Sequence, residues 1–308
     1  MTTDPRLRVV LATDRSYALP TAVTLRSLLL ANAPSPVDVT ILHDAVDAST
    51  RALVDASAPE GASGTVEWID LHGHAVASLP PGGLAPAAWF RLAIPEVVGP
   101  GTRVVYLDTD VLVRQSLQPL ASVELGGAAI GAIRSVNFPS LASWGAVDEW
   151  RELGLPPRAP YFNSGVVVVD TDAWLDAGVD ARVLELVESG IVHRALPDQK
   201  ALNIALCGRW RELDPTWNQQ TPLLDDRKGA HLLYTDEVVD RVRHEPAVVH
   251  FSDRPKPWHR DSTHPFRHEW RSVANETAFA PIKLIRPRLA ESATWRAKRA
   301  AAALVRGK

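Results

Sequence analysis

Short runs of β-branched residues alternate with stretches of helical hydrophobic periodicity along most of this 308-residue chain. The first run covers residues 8–14 and precedes a helical stretch at 19–31, and the same order then repeats. Such alternation predicts βαβ units around a mostly parallel sheet, so the expected fold class is α/β. The further strands are expected at 37–42, 65–70, 103–107, 128–133, 165–169 and 247–251, and the further helices at 85–94, 172–188 and 198–206.

The charged residues are distributed unevenly. Residues 281–308 carry eight Lys or Arg against the single acid Glu291, so this tail is +7 and leaves −10 on the rest of a chain whose total is −3. An acidic body argues against a nucleic-acid partner, because affinity for phosphates comes from a basic surface. The tail mixes basic and apolar residues, which is typical of a helix on an anionic membrane surface or of a solvated terminus. We therefore expect a body of residues 1–280 and a basic amphipathic tail of residues 281–308.

The sequence contains no pattern that would send the chain across a membrane. Its longest apolar runs fall short of the roughly 18 residues of a transmembrane helix, and its start lacks the features of a signal peptide. A single cysteine, Cys207, permits no internal disulfide. We expect a cytoplasmic protein, peripheral on the inner face of the membrane if the tail binds lipid.

Two carboxylates, Asp108 and Asp110, follow the apolar run 104–107 directly. In an extended backbone the alternation of side chains places both on one side and Thr109 on the other. Two ionised carboxylates at that separation repel unless a cation lies between them, and oxygen ligands suit Mg²⁺ or Mn²⁺. The pair therefore predicts a divalent metal site, although a solvated loop or a helix cap is the alternative.

Seven short motifs, in order across about residues 8 to 260, resemble family 8 of the retaining glycosyltransferases, the group of glycogenin and bacterial lipopolysaccharide galactosyl- and glucosyltransferases. Each motif is loose by itself, and their shared order makes the resemblance specific. The motifs are Leu-Ala-Thr-Asp14-Arg-Ser-Tyr17, Trp-Phe-Arg91-Leu, Tyr-Leu-Asp108-Thr-Asp110-Val-Leu-Val, Phe-Asn163-Ser-Gly165-Val, Asp198-Gln199, Trp217-Asn218 and His250-Phe-Ser-Asp-Arg-Pro-Lys256-Pro-Trp258.

The resemblance implies a single Rossmann-like, nucleotide-sugar-binding domain of the glycosyltransferase A type. The implied activity moves a hexose, glucose or galactose, from a UDP-sugar to a hydroxyl acceptor with retention of configuration. His250 would be the third metal ligand beside Asp108 and Asp110, and its nitrogen shifts the preference from Mg²⁺ toward Mn²⁺.

The same resemblance assigns roles to single residues. Lys256 would contact the diphosphate, Asp14 would accept the uracil N3–H, and Asn163 would bind a sugar hydroxyl. The alternatives are a solvated lysine for Lys256, a surface salt bridge for Arg91, and a helix or turn cap for Asp14 and Asp198. The implied donor-binding residues are Ala12, Thr13, Asp14, Tyr17, Asp108, Thr109, Asp110, Asn163 and Lys256, and the implied catalytic residues are Arg91, Asp198 and Gln199.

The sequence departs from the family pattern at Lys200 and Asp253. Relatives often have an acid where Lys200 stands, so we expect Lys200 to alter donor-sugar or acceptor preference. They commonly have glycine and a small residue where Asp253 and Arg254 stand, and we expect Asp253 to repel phosphate. The segment 136–161, with Trp144 and Trp150, is a candidate acceptor-facing region or a packing element.

Two other functions are compatible with parts of the sequence. An apolar strand ending in Asp-x-Asp also occurs in haloacid-dehalogenase-like phosphatases, for which Asp225 and Asp226 could supply a downstream acidic pair. A catalytically idle nucleotide-sugar-binding protein is the second alternative. A dehydrogenase is excluded, because no Gly-x-Gly-x-x-Gly follows the first strand.

Overall fold

The computed structural model describes residues 6–80, 85–192 and 197–286 of the chain. The strands in these residues are β1 (Leu7–Thr13), β2 (Val37–His43), β3 (Gly64–Asp70), β4 (Arg103–Leu107), β5 (Val111–Val113), β6 (Ile130–Arg134), β7 (Phe162–Asp170), β8 (Trp210–Glu212), β9 (Gln219–Gln220) and β10 (Val248–His250). The α-helices are α1 (Ala18–Asn32), α2 (Ala48–Asp55), α3 (Ile94–Val98), α4 (Gln118–Ala121), α5 (Thr171–Asp176), α6 (Val179–Glu188), α7 (Pro197–Ala205), α8 (Asp236–His244) and α9 (Arg267–Ala274).

Seven strands form a central sheet in the order β3-β2-β1-β4-β7-β6-β8. The pairs from β3 to β4 and the pair β6 and β8 are parallel, which confirms the α/β fold with a mostly parallel sheet. Strand β7 is the exception, since it runs antiparallel to β4 and to β6. Its run of four valines, residues 166–169, is buried, and such a run fits a central strand of either direction.

A second, smaller sheet has the order β5-β10-β9 and packs beside the first. Residues 108–110 form the turn that carries the chain from β4 in the large sheet to β5 in the small one. The extended backbone expected for Asp108 to Asp110 is therefore wrong, because the strand ends at Leu107 and the chain turns at once. The two carboxylates still meet, as described below.

The helices follow the predicted positions with some differences. The stretch expected as one helix at 172–188 forms two helices, α5 and α6. They are separated at Gly178, whose φ of 60° is incompatible with a regular right-handed helix. The stretch expected at 85–94 is a 3₁₀ helix, Pro86–Ala93, that continues into α3.

The C-terminal end of the described chain lies against the body. The backbone N–H of Ile285 donates to the carbonyl of Trp258, and the N–H of Arg260 donates to the carbonyl of Ile285. Most of the predicted tail, residues 287–308, lies outside the described residues, so the division at residue 280 stays a prediction. None of the described helices is long and apolar enough to span a membrane.

Candidate active site

All the site residues predicted from the sequence line one cavity of about 300 Å³. The cavity opens beyond the carboxyl ends of β1 and β4, where ligands bind in open α/β sheets. The predicted residues that line it are Ala12, Thr13, Asp14, Tyr17, Arg91, Asp108, Thr109, Asp110, Asn163, Asp198, Gln199, His250 and Lys256.

Asp108, Asp110 and His250 converge on one point of this cavity. One ligand atom from each lies within 4.8 Å of the others. The Nε2 atom of His250 is 3.3 Å from Oδ1 of Asp110 and 3.7 Å from Oδ2 of Asp108. The Nδ1 atom of the same ring lies 2.9 Å from Oδ1 of Asn218, so the ring presents Nε2 to the carboxylates.

Backbone contacts hold the Asp108 to Asp110 turn in place. The hydroxyl of Thr24 on α1 is 2.9 Å from the carbonyl oxygens of Thr109 and Val111. The N–H of Asp108 donates to the carbonyl of Gly165 at 2.8 Å, and the N–H of Phe251 donates to the carbonyl of Asp110 at 3.1 Å. The turn is therefore tied to α1, β7 and β10 at once.

The chemistry of these three residues fits a divalent cation. Two carboxylates and one imidazole form an oxygen and nitrogen donor set that suits Mn²⁺. Burial by itself raises the pKa of Asp110, but the charges of Lys256 and His250 outweigh it and hold this pKa below its ordinary value. Asp110 is thus a carboxylate that needs a positive partner.

Gly165 makes room for the cluster. A Cβ at this position would lie 2.2 Å from Cε1 of His250 and 2.7 Å from Oδ2 of Asp108, which no side chain can tolerate. Only glycine lets the histidine ring and the carboxylate approach β7 so closely.

Arg91 joins the metal-site acids to the residues on α7. Its Nη2 is 3.0 Å from Oδ1 of Asp108 and 3.3 Å from Oδ2 of Asp198, and its Nη1 donates to the carbonyl of Ser164 at 2.6 Å. The guanidinium also lies 4.4 Å from the ring centre of Tyr106. A surface salt bridge, the alternative for Arg91, is wrong because this side chain is buried.

Asp198 and Gln199 occupy the first turn of α7 and face the cavity. Burial raises the pKa of Asp198, and Arg91 acts against that rise. Its Oδ1 is buried without a hydrogen-bond partner among the described residues. Oε1 of Gln199 accepts from Nδ2 of Asn163 and from the N–H of Ser164, both at 3.1 Å.

Lys256 and Asp14 already have partners within the protein. Nζ of Lys256 donates to Oδ2 of Asp110 at 2.6 Å and to the carbonyl of Phe251. Oδ1 of Asp14 caps the short turn at Arg15–Tyr17 by accepting from the N–H groups of Ser16 and Tyr17. The capping alternative for Asp14 is therefore realised, and its contact with a base stays a prediction.

The two departures from the family pattern differ in position. Lys200 is not among the cavity-lining residues, because its Nζ pairs with Glu149 at 2.6 Å, whereas Asp253 lines the cavity. Within the segment 136–161, Trp144 is 96% exposed and Trp150 is half-buried.

Sequence reasoning missed several residues that line the cavity. Tyr106, Ser164, Ser252 and Arg254 belong to the motifs named above but received no role. The others lie outside those motifs, and they are Ala85, Ala87, Ala88, Ser135, Asn137, Phe138 and Gln220. Asn218 also lies in a motif and received no role; it is not among the lining residues but contacts the ring of His250.

Comparisons with known proteins agree with this geometry. The family model of Glycosyl transferase family 8 matches residues 8–262. General stress protein A of Bacillus subtilis (strain 168) is 28% identical over 208 residues, which are 65% of this chain and 68% of that protein. The lipopolysaccharide 1,3-galactosyltransferase of Salmonella typhimurium is 23% identical over 302 residues, covering 95% of this chain and 85% of the relative.

A solved structure is similar over nearly its whole length. The galactosyltransferase LgtC, crystallised with donor and acceptor sugar analogues, superimposes with a TM-score of 0.75 and is 25% identical. The match covers 89% of this chain and 98% of LgtC.

Proposed function

Because this chain belongs to Glycosyl transferase family 8 and shares the glycosyltransferase A fold of LgtC, we propose that it is a metal-dependent, retaining hexosyltransferase that uses a UDP-sugar. The proposed hexose is glucose or galactose, because similar proteins are named both as galactosyltransferases and as glucosyltransferases. The proposed acceptor is a hydroxyl on a glycan, a glycolipid or another small molecule.

The convergence of Asp108, Asp110 and His250 in the cavity carries this proposal. These residues would hold Mn²⁺, or Mg²⁺ less well, and the cation would supply positive charge beside the diphosphate leaving group. A glycosidase needs a carboxylic acid to protonate its leaving group, whereas UDP leaves as a stable anion. No protein general acid is then required.

In the proposed reaction the bond between sugar C1 and the diphosphate oxygen breaks, and a bond forms between C1 and the acceptor oxygen on the same face. The departing phosphate oxygen takes the proton of the acceptor hydroxyl, so the atoms balance. Gln199 is a poor nucleophile because an amide is neutral. Its Oε1 is also occupied by two hydrogen bonds, which favours this same-face attack over a covalent sugar on Gln199.

Asp198 would bind and orient the sugar. Its unpartnered Oδ1 can accept a sugar hydroxyl, and its charge, held beside Arg91, stabilises positive charge that develops on the ring. Asn163 offers the amide expected to bind a further hydroxyl.

Lys256 would exchange partners during binding. With a cation on Asp110, the carboxylate no longer needs the ammonium for charge balance, so Lys256 can turn to a phosphate. Ala12, Thr13, Asp14 and Tyr17 also line the cavity, and they are proposed to bind the uracil end of the donor.

The family match favours glycosyl transfer over the phosphatase alternative. In agreement with this, neither Asp225 nor Asp226 is among the residues that line the cavity, and Asp226 pairs with Arg243 at 2.6 Å. Only an assay of turnover distinguishes the enzyme from a catalytically idle nucleotide-sugar-binding protein.

The decisive experiment measures release of UDP from a panel of UDP-sugars with Mn²⁺, with an acceptor or by slow hydrolysis. Asp108→Asn and Asp110→Asn should each abolish release of UDP. Asp226→Asn is the matched control, because Asp226 is an acid outside the cavity, and this variant should release UDP normally. Hydrolysis of a simple phosphate ester with Mg²⁺ but of no UDP-sugar would support the phosphatase instead. Binding of UDP without any turnover would identify an idle protein.

Peripheral attachment to an anionic membrane through residues 281–308 is part of the proposal and rests on the sequence of that tail. The chain would be pelleted with vesicles of anionic and of neutral lipid, and compared with a truncation after Arg286. This end point keeps the contacts of Ile285 with Trp258. Equal pelleting of the two proteins with anionic vesicles would exclude membrane binding through the truncated part of the tail.

A further inference from the structure

Two asparagines connect the ring of His250 to Gln199 through continuous hydrogen bonds. Nδ1 of His250 lies 2.9 Å from Oδ1 of Asn218, and Nδ2 of Asn218 donates to Oδ1 of Asn163 at 2.8 Å. Nδ2 of Asn163 in turn donates to Oε1 of Gln199 at 3.1 Å. We call these four side chains the amide relay.

Two backbone N–H groups of β7 set the direction of the relay. The N–H of Ser164 points to Oε1 of Gln199 at 3.1 Å, and the N–H of Gly165 points to Oδ1 of Asn163 at 3.0 Å. A backbone N–H can only donate, so the side-chain atom facing it must be the oxygen. The amide nitrogen of Asn163 therefore faces Gln199, and the amide nitrogen of Asn218 faces Asn163.

This direction determines the tautomer of His250. Once the nitrogen of Asn218 faces Asn163, its oxygen faces Nδ1 of the histidine, and a carbonyl oxygen can only accept. Nδ1 must then carry the proton, so Nε2 is the ring nitrogen that faces Asp108 and Asp110. With its proton fixed on Nδ1, the neutral ring can ligate a metal through Nε2.

We propose that Asn218 is a positioning residue that fixes the Nδ1–H tautomer of His250 and, through Asn163, the orientation of the Gln199 amide. Asn218 is 0% exposed, so water does not replace its hydrogen bonds. The tautomer follows from the protein alone, and the link to metal and sugar rests on the proposed function. One buried amide thereby serves both the metal side and the sugar side of the cavity.

Two substitutions at this position separate the two ends of the relay. Asn218→Ala removes the acceptor for His250 and the donor for Asn163. Asn218→Asp keeps an acceptor for His250 but turns a second acceptor toward Oδ1 of Asn163, and two acceptors repel. The alanine variant should disturb both ends, and the aspartate variant only the end at Gln199.

The first measurement is the tautomer of His250 in metal-free protein. Histidine ¹⁵N shifts and ring couplings distinguish Nδ1–H from Nε2–H, and the signal is assigned by its absence from His250→Ala. In spectra recorded over a series of pH values, the neutral wild-type ring should be the Nδ1–H form. Asn218→Asp should keep this form, and Asn218→Ala should lose it.

The second measurement is affinity for Mn²⁺ by calorimetry, followed by the rate of sugar transfer. Asn218→Ala should bind Mn²⁺ about 10 to 100 times more weakly. Asn218→Asp should bind it within about threefold of wild type and still transfer sugar about tenfold more slowly, because Gln199 is displaced. Asn32→Ala removes an equally buried amide far from the cavity, so it should lose stability and keep the tautomer.

An Nε2–H ring in the wild-type protein would overturn the proposal even if no variant folds. Retention of the Nδ1–H form in Asn218→Ala, or equal loss of Mn²⁺ affinity in both variants, would overturn it as well. Failure of sugar transfer in the wild type would count against the proposed function and leave the tautomer result standing.

Discussion

Lys256 donates a hydrogen bond across 2.6 Å to Asp110, so the lysine expected on a phosphate lies on a proposed metal ligand. Since Lys256 and a cation compete for Asp110, Lys256→Met should bind Mn²⁺ alone as tightly as wild type or more tightly. The same variant should bind UDP with Mn²⁺ at least about tenfold more weakly, because a phosphate contact is lost.

Calorimetry with Mn²⁺ and then with UDP measures both effects. Lys200→Met is the matched control, since Lys200 is also an ion-paired lysine but pairs with Glu149 outside the cavity. Weaker binding of Mn²⁺ alone by Lys256→Met would contradict the competition.

Gly165→Ala should disrupt the proposed metal site directly. The new Cβ would lie 2.2 Å from the His250 ring, which must move away from Asp108 and Asp110. We expect a loss of Mn²⁺ binding by at least about tenfold and a cost of about 1 to 3 kcal/mol in stability, measured by calorimetry and urea unfolding. Gly131→Ala on the neighbouring β6 meets the flexible ends of Leu125 and Leu213 instead, so it should cost stability and keep Mn²⁺ affinity. Similar losses of affinity in both variants would contradict the prediction.

Arg91→Lys should slow sugar transfer although the charge is kept. The guanidinium contacts Asp108, Asp198 and the Ser164 carbonyl together, and a single ammonium cannot span these positions. We expect the transfer rate to fall at least about tenfold. Arg103→Lys, in a half-exposed pair with Asp170, changes the same residue type outside the cavity and should transfer normally. A normal rate for Arg91→Lys would exclude the bridging role.

His264 should make the protein less stable as the pH falls below neutrality. Burial lowers the pKa of this ring from 6.5 to about 4 in the folded chain. Between these values the unfolded chain binds the proton and the folded chain does not, so stability falls by about 3 kcal/mol on going to pH 4. His264→Phe keeps the packing against Phe251 and should remove this loss, as urea unfolding at pH 7 and pH 4.5 would show.

His72 provides a contrast of opposite sign. Its exposed ring has a pKa raised by a hydrogen bond to Asp44, so it adds stability as the pH falls. His72→Gln should therefore steepen the acid loss slightly, whereas His264→Phe flattens it. An unchanged slope in His264→Phe would contradict the buried neutral ring.

The positions of most strands along the chain and the place of the cavity could be predicted because they depend on local patterns. Apolar runs that end in a polar residue, such as 103–107 before Asp108, mark both a buried strand and its carboxyl end. The direction of β7 could not be predicted, because a run of valines buried on both faces is the same in either direction. The break at Gly178 was equally hidden, since apolar periodicity continues through it.

Contacts between distant residues account for what sequence reasoning missed at the site. Asn218 lies far from Asn163 in the chain, and only the fold brings their amides within 2.8 Å. Lys200 directly follows Gln199 in the sequence, yet it pairs with Glu149 and does not line the cavity. Lys256 is a loop lysine in the sequence and a buried one in the structure, held by Asp110.

The turn at Asp108 to Asp110 is one of the places where the chain passes from the large sheet to the small one, and His250 reaches it from β10 of the small sheet. A ligand bound by all three side chains would cross-link one sheet to the other. Filling the cavity would then stabilise the arrangement of the two sheets in addition to preparing the donor for reaction.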